Sequence, residues 1–215
     1  MERISLTLNW RHALRGAELD SIRDFLANNG GIYMWVYGAA PGGVHYIGET
    51  NSFLTRMTTH ISAILSGFYE SFNVEELEKL GKEEFIQALN DHAAGRRPGG
   101  LIYTPDPQRL SRTFFDDLWG HMHRKYLGRL LFAFATLEDM DPPLDLETDM
   151  PVLRKEIEAA LIISYKRSLG LDRKTPIGQH SRIPKAAYEI YHGGAAVWAV
   201  PDEIQMIRGW EPPNG

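Results

Sequence analysis

The 215-residue sequence has no cysteine, which removes disulfides, thiolate zinc centres and cysteine nucleophiles together and suits a reducing compartment. It has no apolar run long enough to span a bilayer, and its start, Met1-Glu2-Arg3-Ile4-Ser5, lacks the basic-then-apolar pattern of a leader. A cytoplasmic protein with no membrane partner is the expectation. Positive charge is also scarce: the formal net charge is -5, which argues against binding nucleic acid through bulk electrostatics. Neither a phosphate-cradling P-loop nor a zinc-finger spacing occurs. What remains is an ordinary globular composition, 43% hydrophobic and 24% charged, so wholesale disorder is not expected. The length allows one large domain, or one domain carrying an insertion.

Charge is unevenly spread. Acids dominate from 68 to 84 (Glu70, Glu75, Glu76, Glu78, Glu83, Glu84) and again from 138 to 149. From 151 to 190, Arg154, Lys155, Lys166, Arg167, Arg173, Lys174, Arg182 and Lys185 face only Glu156, Glu158, Asp172 and Glu189, a local excess of four positive charges. With Arg96, Arg97, Arg109, Arg112, Arg124, Lys125 and Arg129, this segment could build a DNA-facing surface. Taken singly, each of these charges fits a solvated face equally well.

Periodicity sketches the organisation. Ile4-Ser5-Leu6-Thr7-Leu8-Asn9-Trp10 alternates as a half-buried strand does, and 17–28 reads as a short helix. Residues 32–37 and 44–48, rich in aromatic and β-branched residues, flank Gly38-Ala39-Ala40-Pro41-Gly42-Gly43, which predicts a hairpin. Helices are expected over 52–65, 74–90 and 151–169, the last with Asp149 as cap, Pro151 in its first turn and Gly170 at its end. The apolar run 130–136 is of strand length. Trp35, Trp119 and Trp198 read as core, and the carboxylates of Glu138-Asp139-Met140-Asp141 as a solvated acidic turn. His121 and His123, two apart, would diverge on a helix rather than share a metal.

The hairpin carries Gly31-Ile32-Tyr33 on one arm and Tyr46-Ile47-Gly48 on the other, so pairing could bring two phenols together. The following helix places Arg56 and His60 four apart on one face. This ordered set, with Thr50 and Leu54, resembles the core of the GIY-YIG nuclease family. The stretch Glu158-Ala159-Ala160-Leu161-Ile162 is similar to that family's metal-binding glutamate with its Glu-x-x-Leu-Ile context. Glu156 competes for the role from a different side of the helix.

The resemblance implies a metal-dependent DNA endonuclease that hydrolyses phosphodiester bonds with one Mg²⁺ or Mn²⁺ per site, and with a homodimer or two visits for double-strand cutting. It implies an α/β fold: a small, mainly antiparallel three-stranded sheet flanked by helices. The core would span 31–66 and 129–182, with an N-terminal extension 1–30, a mostly helical insertion 67–128 and a C-terminal extension 183–215. Arg56 would grip a phosphate oxygen, its permanent charge offsetting that of the transition state. Tyr33 would act as general base or position the water, which asks for a lowered phenol pKa. Tyr46 would support it, His60 would relay a proton or bind phosphate, and Glu158 would hold the metal. For nucleic-acid contacts, Arg96, Arg97, Lys166, Arg167, Arg173 and Lys174 are the candidates.

One departure stands out. The family ends its last core helix with Leu-Asn, and here Gly170 follows Leu169. Gln179 and Ser181, or more remotely Asn51, are the substitutes. The departure and the acidic balance keep open two other readings: a catalytically weakened nucleic-acid-binding module, or a protein-interaction subunit retaining the fold.

Overall fold

The alternation that begins at Ile4 runs on into a long strand, β1 (Arg3–Arg15), with Leu6, Leu8 and Trp10 buried on one face. In the computed structural model the described residues are 3–39, 41–65, 69, 71–96, 101–103, 124–143, 149–175, 177–178 and 183–213. The hairpin forms as β2 (Gly31–Tyr37) and β3 (Gly43–Thr50). Two two-residue strands, β4 (Ser71–Phe72) and β5 (Ile102–Tyr103), make a separate ladder. The apolar run at 130 becomes β6 (Leu130–Asp141), followed by β7 (Ala187–Gly193) and β8 (Gly209–Trp210).

These strands overturn the expected three-stranded sheet, while the α/β class is retained. The main sheet is mixed and has six strands in the order β3-β2-β6-β1-β7-β8. β1 runs antiparallel to β6 and parallel to β7, so stretches expected to be N- and C-terminal extensions carry half of the sheet. The reason is hydrophobic. With Leu6, Leu8 and Trp10 on one side and the β6 backbone needing a second partner, β1 closes the edge that a three-stranded sheet would leave open.

Glu138, expected in a solvated turn, therefore lies within β6. Burial raises its carboxyl pKa, but hydrogen bonds from Thr136 (2.6 Å), Asn9 (2.7 Å) and Arg11 (2.5 Å) hold it down at about 2. Trp35 is buried, whereas Trp198 is 68% exposed and is not core. Trp119, His121 and His123 lie outside the described residues.

Helices pack on this frame. The expected 17–28 helix divides into a 3-10 segment (Gly16–Ile22) and α1 (Arg23–Asn28). α2 (Phe53–Leu65) buries Phe53, Met57, His60 and Ile64, an i, i+4, i+7, i+11 stripe. The 74–90 helix is interrupted at Gly81, giving α3 (Val74–Leu77) and α4 (Lys82–Ala93), and 124–129 is also helical. α5 (Met150–Ser168) is buried on several sides and packs against β3, while α6 (Asp202–Gln205) lies beyond it. Among the described residues no helix is long and apolar enough to cross a membrane.

Candidate active site

Three elements converge at the β3 end of the sheet: the hairpin, α2 and α5. The hairpin register sets Tyr33 opposite Gly48 and Trp35 opposite Tyr46, so these four share a face. A Cβ at position 48 would stand 2.3 Å from the Tyr33 ring, so only glycine lets that ring lie across β3. Gly31 is needed for a similar reason, since a Cβ there would meet the Ala135 carbonyl oxygen at 2.0 Å. Between Trp35 and Val36 the register shifts, because Val36 faces Val44 and His45 is the extra residue. Such a bulge re-aims side chains. Tyr46 stacks on Tyr33 with ring centres 5.9 Å apart, while His45 stacks on Tyr37 at 4.9 Å.

α2 supplies the polar half. Helical spacing puts Arg56 one turn before the buried His60, so both side chains reach Tyr33. The Tyr33 hydroxyl lies 2.6 Å from His60 Nε2, and Arg56 Nε donates to the same oxygen at 3.1 Å. Tyr33 is fully buried and His60 is 1% exposed. Burial, reinforced by the neighbouring Tyr46, pushes the Tyr33 phenol well above its usual value, and the Arg56 guanidinium only partly offsets this. The lowered phenol that a resting general base needs is thus not what the fold provides. Burial, and then the Arg56 charge, lowers His60 to about 4, so its ring is neutral near pH 7.

The Tyr46 phenol is also raised by burial, and the Arg56 charge opposes the rise. Among the described residues His60 Nδ1 and Trp35 Nε1, both buried, have no hydrogen-bond partner, and the two rings meet edge-on at 5.0 Å.

α5 separates the two competing glutamates. Glu156 is 6% exposed and accepts a hydrogen bond from the Tyr188 hydroxyl on β7, away from the tyrosines. Glu158 faces the β3 edge, where burial, and next the charge of Glu49, raise its carboxyl to about 8, while the Glu49 backbone N–H, Arg56 and Lys155 oppose the rise. The rest of that edge is also in use: Ile47 N donates to the Ile177 carbonyl at 2.8 Å and Val44 N to the Tyr165 hydroxyl at 3.1 Å.

Tyr33, Tyr46, Arg56 and His60 are therefore brought together, with Glu158 in electrostatic reach of Tyr46 and Arg56. Gly170, which follows Leu169 at the end of α5 with φ +63° and open space around it among the described residues, offers no side chain in place of the asparagine that the resemblance would require. Asn51 is occupied as acceptor for Arg154 Nη2. Gln179, Ser181 and Arg97 lie outside the described residues.

Lys166 is a poor DNA contact, being 5% exposed and donating to the Arg173 carbonyl at 3.0 Å. Arg96 is paired with Asp91 at 2.7 Å, and Arg167 lies over the Trp210 ring at 6.0 Å. Arg173 and Lys174 are exposed.

Sequence reasoning gave Glu49 no role and placed Arg154 among the charges of a DNA-facing surface, where its burial does not let it serve. Arg154 on α5 ion-pairs with Glu49 (Nε to Oε2, 3.5 Å), and both side chains are largely buried, at 10% and 19% exposure. The available signal was position: Glu49 directly follows Gly48, and Arg154 precedes Glu158 by one helical turn. No group of three or more His, Asp or Glu side chains gathers as a metal site among the described residues. Glu158 is a carboxyl raised by burial and by the charge of Glu49, and a single oxygen ligand of this kind fits a hard cation, which would relieve that rise. A cavity of about 70 Å³ lies apart from these groups, against Phe85, Leu89, Tyr165 and Leu171, and its lining is mainly apolar. The chain matches no protein-family model, no curated protein and no solved structure.

Proposed function

We propose that the protein is a metal-dependent DNA endonuclease of the GIY-YIG type. One observation carries the reading: Arg56, His60 and two tyrosines, from a hairpin and the helix after it, share one hydrogen-bonded, partly buried cluster, with the Glu158 carboxyl at its rim. Structural packing would account for the rings. It would not account for a guanidinium and an imidazole both spent on one phenol.

Phosphodiester hydrolysis forms a bond from water oxygen to phosphorus, breaks the bond to the 3′ oxygen and moves one proton off the water. Arg56, bonded to Tyr33 through Nε, would present its guanidinium to a non-bridging phosphate oxygen. Tyr33 Oη can take the water's proton while passing its own to His60 Nε2, 2.6 Å away, so no free phenolate has to exist beforehand. Tyr46, stacked on Tyr33 and beside Arg56, fills the flank of the phosphate position. Glu158 would hold the Mg²⁺ or Mn²⁺. When bound, such an ion supplies charge stabilisation to the departing oxygen.

Purified protein with plasmid DNA and Mg²⁺ or Mn²⁺ tests the reading. Nicking is expected, with loss in Arg56→Ala and in Glu158→Ala; cutting that survives both substitutions would overturn the site. A second reading, a nucleic-acid-binding module with weakened catalysis, is favoured by the raised Tyr33 phenol and by Gly170. Salt-sensitive DNA binding without cutting would select it. DNA affinity that is flat against salt would instead favour a protein-interaction role.

A further inference from the structure

Two groups beside this site have no task in the mechanism above, Glu49 and Arg154. Glu49 pairs with Ile32 across the ladder, so its side chain leaves β3 on the face opposite to Tyr46 and Gly48. There its Oε2 lies 3.5 Å from Arg154 Nε on α5. Arg154 Nη2 donates to the side-chain oxygen of Asn51, two residues further along. One guanidinium therefore spans the short stretch of chain that leaves β3 and enters α2.

The stretch it grips is joined directly to Arg56. Ser52, next after Asn51, accepts the Arg56 backbone N–H on its carbonyl at 3.1 Å and offers its hydroxyl to Thr55 N at 3.4 Å, as a helix cap does. From the other side Phe53 N donates to the Asn29 carbonyl at 3.0 Å. α5 packs against β3 and β2, and α2 against α1, so Arg154 is the point at which α5 takes hold of the chain entering α2. It does so while only 9% exposed, with no hydrogen-bond acceptor for Nε among the described residues. Replacing a buried ion pair by apolar side chains is often neutral or stabilising, so stability is a poor reason for an arginine here. What arginine alone offers is a rigid fork that fixes two acceptors in one plane.

We propose that Arg154 is a positioning residue: it clamps the junction between β3 and α2 onto α5, and so fixes the direction in which Arg56 meets a phosphate oxygen. The inference rests on the nuclease reading and names the group that aims its phosphate-binding arginine. Arg56 lies in the first turn of α2, so a tilt of that helix about Asn51 moves its guanidinium at once. Arg154 itself takes no part in holding DNA, because its side chain is only 10% exposed and both arms of its fork face protein.

The test is plasmid nicking by the full chain with Mg²⁺, run well below the melting temperature of each variant. Arg154→Met and Asn51→Ala undo the clamp from its two ends. Each should lower kcat by up to about 10²-fold, the scale for an ångström of misplacement, with KM changed by less than about threefold. The double variant should be slower than Arg154→Met by no more than about threefold, because both changes remove one contact. In an Arg56→Lys background Arg154→Met should also cost less than about threefold, since the fork to be aimed is already gone, whereas a general loosening of the fold would multiply through. Arg154→Lys should recover little, one ammonium being unable to span Glu49 and Asn51.

Unchanged kcat in Arg154→Met and Asn51→Ala, beside cleavage lost in Arg56→Ala, overturns the proposal and leaves the nuclease reading standing. So does a salt slope of DNA affinity that falls by about one in Arg154→Met, the mark of a direct phosphate contact. Absence of nicking by the unsubstituted protein, or nicking that survives both Arg56→Ala and Glu158→Ala, overturns the nuclease reading and this inference with it. Should Arg154→Met not fold, Asn51→Ala decides, since Asn51 is exposed, and unchanged kcat there overturns the proposal.

Discussion

The hydroxyl of Tyr33 stands 2.6 Å from Nε2 of His60, and both residues are buried. Arg56 Nε completes the junction at 3.1 Å, so three residues that could each act separately in the sequence form one hydrogen-bonded unit. The unit is high-stakes because a buried polar group left without its partner costs about 1–3 kcal/mol.

Tyr33→Phe keeps the ring over Gly48 and deletes only the oxygen. Cleavage should fall by about 10²- to 10⁴-fold, the usual worth of a positioned acid–base group. Stability should fall with it by about 1–3 kcal/mol, because His60 Nε2 and Arg56 Nε lose their partner. Plasmid relaxation rates and thermal melts check the pair of effects. A variant that cuts normally would remove Tyr33 from the mechanism.

Arg56→Lys retains the charge and loses the fork. Lysine cannot bond Tyr33 and a phosphate oxygen from one rigid plane, so a loss of about 10²-fold in cleavage is expected with the fold intact. Near-normal rates in Arg56→Lys would mean that charge alone is used at this position.

How far the sequence revealed this arrangement depends on the range of each interaction. The hairpin was legible because its arms are aromatic and β-branched and its loop is glycine-rich, and the Arg56 and His60 pairing because helical spacing is local. The partnership of β1 with β6 was not, since it joins Trp10 to Ala135 across a sequence distance that no local pattern encodes. Nor was the bulge at His45, where an unbroken apolar run conceals one extra residue. Arg154 looked like any surface charge until α5 was seen to bury it, and Trp198 looked like core although it is 68% exposed. Glu156 and Glu158 were distinguishable as lying on different sides of a helix, but only the position of Tyr188 shows where Glu156 goes.

That separation yields a contrast. Glu156→Gln should lower stability while leaving cleavage within a few-fold, because its carboxylate accepts from Tyr188 and from the Lys185 N–H at 3.4 Å, both remote from the tyrosine cluster. Glu158→Gln should do the reverse, abolishing cleavage at unimpaired stability. Melting curves and cleavage rates on the two variants decide it, and equal cleavage losses would sink the assignment.

Acid should loosen the fold well before the carboxylates are neutralised. Burial lowers His45 to about 3, His60 to about 4 and His192 to about 4, against an ordinary value of 6.5. As pH falls through 6.5 the unfolded chain takes up three protons that the native chain refuses, so native stability drops until pH 4, where His60 and His192 protonate in the folded state too. Glu158 acts in the opposite sense in metal-free protein. Its native carboxyl stays protonated up to about 8 while the unfolded one ionises above 4.5, so it binds one extra proton in the native state across this window. Glu138, held at about 2, contributes stability that is lost only below 4.5 and does not enter. For His45, His60, His192 and Glu158 together two net protons remain, a slope on the order of 2–3 kcal/mol per pH unit between about pH 6 and 5, and His12, lowered by burial and by Arg11, adds to it in the same sense. Urea unfolding in EDTA at pH 7.5, 6, 5.5 and 5 measures it. His45→Phe, whose ring can occupy the aromatic pocket of Tyr37, Phe72, Phe85 and Tyr126, should reduce the slope by one proton, and stability that is flat from pH 7.5 to 5 would show that these imidazoles are not held neutral.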